Sequence, residues 1–137
     1  MTTATDVSEL LATHPRPSEV DREVLARCIA DCYDCARSCT ICADADLAEE
    51  DVAEMRRCTR LCLDSADVCI ATGRMVSRQT EHEPETARAQ VEACQHSCAA
   101  CAEECERHAQ HQEHCRLSAE SCRRCEAACA AMLDAIG

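Results

Sequence analysis

The chain has 137 residues and is 47% hydrophobic, yet 16 of those residues are Cys, 24 are Ala, and Tyr33 is the only aromatic. A formal charge of -12 argues against nucleic acid or an anionic membrane surface as a partner, because like charges repel. With two Gly and three Pro, the sequence has little turn punctuation, which favours long helices over strands, and its length suits one domain over residues 1–137.

The first predicted element is a short amphipathic helix at about 6–13, with Val7, Leu10 and Leu11 on one side. His14-Pro15-Arg16-Pro17 ends it, since two prolines cannot sit inside a helix. Ser18, with Asp21 three residues on, reads as the N-cap of a first long helix at about 19–45. Asp46 to Glu50 is a polar connection, and a second long helix follows at about 50–79. Thr80 to Pro84 breaks the chain again, with Pro84 suited to the first turn of a third helix at about 85–109. His111 to His114 marks the turn into a fourth helix at about 112–135. Long helices with short connections pack up-down-up-down, so the expected fold is an all-α antiparallel four-helix bundle with a short extra N-terminal helix.

The cysteines lie in register along these helices. Cys28, Cys32, Cys35, Cys39 and Cys42 step by four, three, four and three residues, the spacing of one helix face. Cys58 and Cys62 are four apart, and Cys69 follows after a heptad. Cys94, Cys98, Cys101 and Cys105 step by four, three and four, and Cys115 leads by seven to Cys122, Cys125 and Cys129. Such a face normally carries Leu or Ile; here it carries thiols, one stripe per long helix. Up-down topology brings Cys42, Cys58, Cys105 and Cys115 to one pole, together with Met55, His108 and His111. At the other pole the stripes continue as Leu25, Val76, Val91 and Met132. The expected interior is therefore a thiol column plugged by hydrocarbon at one end and open to His and Met at the other. His14, His82, His96 and His114 fall off the stripes or in connections and read as surface residues. Leu61, Leu63, Val68 and Ile70 do not all fit the thiol face, which leaves some for contacts with another subunit or the N-terminal helix.

The opening MTTATDVSEL has no basic start and no apolar run of signal length, so a reduced cytoplasmic setting is expected. No span near 20 apolar residues offers a membrane helix. In that setting cysteines read as metal ligands before disulfides. A linear S–metal–S unit places its sulfurs about 4.5 Å apart, taking the ~2.3 Å zinc–thiolate bond as a guide. Neighbours on one stripe, or on facing stripes, can meet that spacing. Soft thiolates select Cu(I) among biological metals. Replacing H⁺ by Cu⁺ leaves the net charge unchanged, so a univalent ion can fill the column without building up charge. Several Cu(I) ions per chain follow, up to about one per cysteine if thiolates bridge. The pattern suggests no open coordination position with an acid/base partner, so storage is expected rather than catalysis.

These CxxxC and CxxC stripes on four helices, from Cys28 to Cys129, resemble those of the bacterial four-helix-bundle copper storage proteins, and the start of the chain is similar to their cytosolic branch. The resemblance implies a homotetramer of bundles, each storing and buffering many Cu(I) ions. It implies that the sixteen cysteines are ligands and that His108, His111 and Met55 form the mouth. The in-phase Ser65 and Ser118 depart from an all-thiol pattern. Two other readings stay open: a zinc or mixed-metal thiolate cluster, and a thiol–disulfide redox buffer. Zinc quartets normally gather at turns, and a redox relay needs only one or two poised pairs.

Overall fold

A computed structural model describes residues 5–136. The elements are α1 (Val7–Ala12), α2 (Arg22–Leu47), a 3₁₀ turn (Val52–Met55), α3 (Arg56–Ser77), α4 (Pro84–His108) and α5 (Glu113–Ile136). α2 packs against α3 and α5, and α4 against the same two, so α2–α3–α4–α5 close a four-cornered bundle. Contacts such as Cys42 with Cys115 and Cys32 with Cys125 run in opposite chain directions, which makes neighbours antiparallel. The short α1 lies against α2, with Val7 and Leu11 packed on the core.

Local chemistry sets the helix ends. The side chain of Asp21, and not that of Ser18, caps α2 by accepting from the backbone N–H groups of Glu23 at 3.0 Å and Val24 at 3.1 Å. Ser18 accepts from Val20 N–H at 3.0 Å and donates to Gln79 at 2.9 Å. It therefore pins the Pro-containing segment to the far end of α3, and the helix starts later than the capping-box spacing predicts. Pro84 takes the first position of α4, where its missing N–H costs nothing, and Glu83 caps Glu85 and Thr86. Glu81 has a positive φ of 55 in that connection.

At the other end of α2, Asp46 is a buried part of the helix and does not belong to the connection. It sits four residues after Cys42, on the same face as the thiols. Buried Leu25, Val76, Val91 and Met132 close the opposite pole. Thr72 is fully buried near them; it donates to the Val68 carbonyl at 2.7 Å and accepts from Gln90 at 2.9 Å.

Candidate metal centre

All sixteen cysteines are unpaired and buried, none more than 1% exposed. Helical spacing places them in tiers down the bundle axis. At the top, Cys58 meets Cys105 at 3.7 Å and Cys115 at 3.9 Å, and Cys42 meets Cys115 at 3.9 Å. Below, Cys39, Cys62 and Cys101 share a tier with Ser118, whose Oγ lies 3.8 Å from Cys39 and 4.0 Å from Cys62. Cys35 meets Cys122 at 3.6 Å in the next tier, where Ser65 approaches Cys98 at 4.0 Å. Deeper still, Cys32 meets Cys125 at 3.8 Å and Cys69 meets Cys94 at 3.9 Å. Cys28 and Cys129 form the base.

Three thiol quartets have their sulfurs within 4.8 Å of one another: Cys32, Cys94, Cys125 and Cys129; Cys35, Cys69, Cys98 and Cys125; and Cys42, Cys58, Cys62 and Cys105. That spacing accommodates the sulfur separation of a linear dithiolate, about 4.5 Å. Four sulfurs at this distance can also bridge several soft ions.

Packing the thiols together divides their acidity. Hydrogen bonds between neighbouring thiols favour the thiolate at some sulfurs and the protonated thiol at others. Cys28 falls to about 5, chiefly through its hydrogen bond with Cys129. Cys39 falls to about 6 through Cys101 and Cys122, and Cys105 to about 4 through Cys101. Cys35, Cys42 and Cys94 are lowered for the same reason. Cys122 is raised through its hydrogen bonds with Cys101, Cys35 and Cys39, and Cys115 through its hydrogen bond with Cys42. Neighbouring thiols are thus pushed in opposite directions, some toward the thiolate and some away from it.

The open pole adds a site that sequence reasoning missed. His114 Nδ1 lies 3.3 Å from Cys42 Sγ, 3.6 Å from Cys115 Sγ and 3.7 Å from Asp46 Oδ1, and these four residues form a mixed ligand group. The surface placement expected for His114 is corrected. At the first turn of α5 no preceding turn screens the imidazole, so it folds back over the mouth. Its Nε2 pairs with Glu49 at 2.7 Å. Burial opposes the imidazolium, but Cys42 and Glu49 outweigh it and hold the His114 pKa above its usual value. Asp46 is pushed up by burial first and by Cys42 second. The signal for Asp46 was present in the sequence, because the α2 stripe of four-three steps runs on from Cys42 to residue 46.

The other candidates sit around this mouth. Met55 is fully buried at the head of α3. His108 pairs with the buried Glu104 at 2.9 Å, and Arg107 approaches the same carboxylate at 3.5 Å. His111 is exposed at the α4–α5 turn. His14 meets Thr80 at 3.1 Å and His82 the Gln79 carbonyl at 3.2 Å, both exposed at the closed pole, and His96 is exposed on α4.

Residues 21–134 match the copper storage protein family. The chain is similar to the copper storage protein Ccsp from Streptomyces lividans loaded with 10 copper equivalents, at 49% identity and a TM-score of 0.91, over 94% of this chain and 98% of that one. A structure of a cytosolic copper storage protein from the same organism, with five coppers, is 50% identical over 84% of this chain and 96% of that one, with a TM-score of 0.83. No curated protein matches the chain.

Proposed function

The chain belongs to the copper storage protein family, and from that premise we propose that it stores and buffers many Cu(I) ions on the thiolates of its core, keeping free copper low in the cytoplasm. The observation that carries this reading is the continuous burial of sixteen unpaired thiols on one axis. A core filled only for stability would use Leu, Ile and Phe; this one gives those positions to soft donors. Where thiolates bridge, each Cu⁺ taken up replaces one thiol proton, so the column can fill without a growing charge in a low-dielectric interior.

The ligands in this reading are the sixteen cysteines. Met55, His108 and His111 ring the open pole as the first acceptors, joined by His114 and Asp46 at the topmost thiols. The opposite pole is closed by Leu25, Val76, Val91 and Met132, which supports one-ended traffic. Nothing in this role requires turnover of a substrate, so the protein acts without catalysis. Tyr33, Ile41, Leu63 and Ile70 remain exposed on the outer faces of α2 and α3. They supply the apolar surface for assembly into a homotetramer, and sedimentation of the protein at micromolar concentration should report four chains, not one.

Anaerobic titration with Cu(I) against a competing chelator tests the function. Tight uptake of many ions per chain is expected. Uptake of only one or two weakly held ions, or preferential filling by zinc, would end the reading.

A further inference from the structure

Three donors at the open pole that are not thiols are each held from behind. His114 gives its Nε2 to Glu49 Oε2 at 2.7 Å, while its Nδ1 faces the sulfurs of Cys42 at 3.3 Å and Cys115 at 3.6 Å. His108 gives its Nε2 to Glu104 Oε2 at 2.9 Å. Glu104 is itself buried and fixed, because its other oxygen meets Arg107 at 3.5 Å and Arg57 at 3.8 Å. Asp46 follows the same pattern: Oδ2 accepts from Thr59 at 3.1 Å, and Oδ1 turns to Cys115 at 3.7 Å. His111 is exposed, and its ring has no such partner among the described residues. An ionised carboxylate only accepts hydrogen bonds, so the Nε2 atoms of His108 and His114 carry the proton. In the neutral imidazole the lone pair then lies on Nδ1.

We propose that Glu49 and Glu104 are positioning residues for copper entry, each holding a mouth imidazole by Nε2 and leaving Nδ1 to meet the arriving Cu(I). This deepens the storage reading and rests on it. A ring that is free to turn, or that carries its proton on Nδ1, must reorganise before it can bind; a held ring is ready. Holding the far nitrogen also makes the near one a better donor. At entry one bond replaces another: Nδ1 takes the ion as the carrier's donor leaves, and copper stays Cu(I). When Cys42 receives the ion, its S–H bond breaks as the S–Cu bond forms, and the proton passes to water. Neither glutamate touches the copper, so both set how fast the first ions enter and not how many the column holds.

The test compares wild type with Glu49→Ala, Glu49→Gln, Glu104→Ala and Glu104→Gln, each shown by circular dichroism to be folded. Imidazole ¹⁵N spectra of the copper-free protein should place the proton of His108 and His114 on Nε2, and each alanine variant should lose that pattern at its own histidine. Stopped-flow transfer from a Cu(I)–bathocuproine disulfonate complex should be about tenfold slower in E49A and E104A, with capacity unchanged. E49Q and E104Q, whose amide oxygen can still accept from Nε2, should stay near wild type. E49A added to His114→Ala should slow uptake no further, since Glu49 acts through that ring. Protons on Nδ1 in wild type, or alanine variants that load at the wild-type rate, would overturn the proposal. So would glutamine variants as slow as alanine, because attraction by the charge and not the held ring would then be the cause. Failure of wild type to load at all would instead sink the storage reading beneath it.

Discussion

Cys42 is where the core meets the outside: its sulfur touches Cys115 below and the His114 imidazole above, with the Asp46 carboxylate at 4.0 Å. That neighbourhood can receive a metal and take the proton it displaces, because His114 reaches Glu49 at the rim. His114→Ala removes one donor from the mouth while leaving every thiol in place. Its expected effect is slower uptake of the first Cu(I) ions, by about tenfold, with unchanged capacity at saturation. Stopped-flow transfer from a chelator complex measures the rate and titration the capacity. Unchanged uptake would show that His114 only braces Glu49 and Asp46. The imidazole was not legible as a ligand because it precedes Cys115 and lies off the helical stripe. Only the fold-back at a helix's first turn brings it over the column.

At the scale of elements, the stripes were legible because helical periodicity is a property of the chain itself: every in-phase cysteine is buried. The ends of helices were less so. Ser18 and Asp21 both suit an N-cap, and their neighbours decide between them, with Ser18 drawn to Gln79 just past α3. Glu83 offers a test at the start of α4. The N–H groups of Thr86 and Glu85 hold its carboxyl below the ordinary range. A depressed carboxyl contributes stability above its unfolded pKa of about 4.3 and loses it as pH falls through the lower folded value. Glu83→Ala should therefore melt below wild type at neutral pH, and the two curves should converge as pH drops below about 4. A difference that persists in acid would mean that the cap acts through packing, not charge. The ion pairs on the outer surface add little by comparison. Arg123 with Glu106, at 2.8 Å between α4 and α5, is exposed on both sides, and such pairs are worth at most about 1 kcal/mol.

For the molecule as a whole, a bundle with few large apolar side chains must hold its shape before metal arrives if it is to receive ions in order. Abundant Ala favours helix without side-chain entropy cost. The thiols pack as small hydrophobes, and Leu25, Met55, Val76, Val91 and Met132 close the two ends. The apoprotein is therefore expected to be helical already, and its far-ultraviolet circular dichroism should change little on loading. A coil that folds only with copper would place the fold's stability in the metal. The bundle, its two unlike poles and the thiol axis could all be read from spacing. The pairing of thiols into quartets could not, because it depends on distances across the axis that no single stripe specifies. The position of copper in a loaded crystal tests the thiol axis most directly. Anomalous scattering at the copper edge should show a file of peaks along the bundle axis between the Cys28–Cys129 base and the Cys42–Cys115 mouth. Peaks confined to surface histidines and carboxylates, with an empty axis, would contradict it.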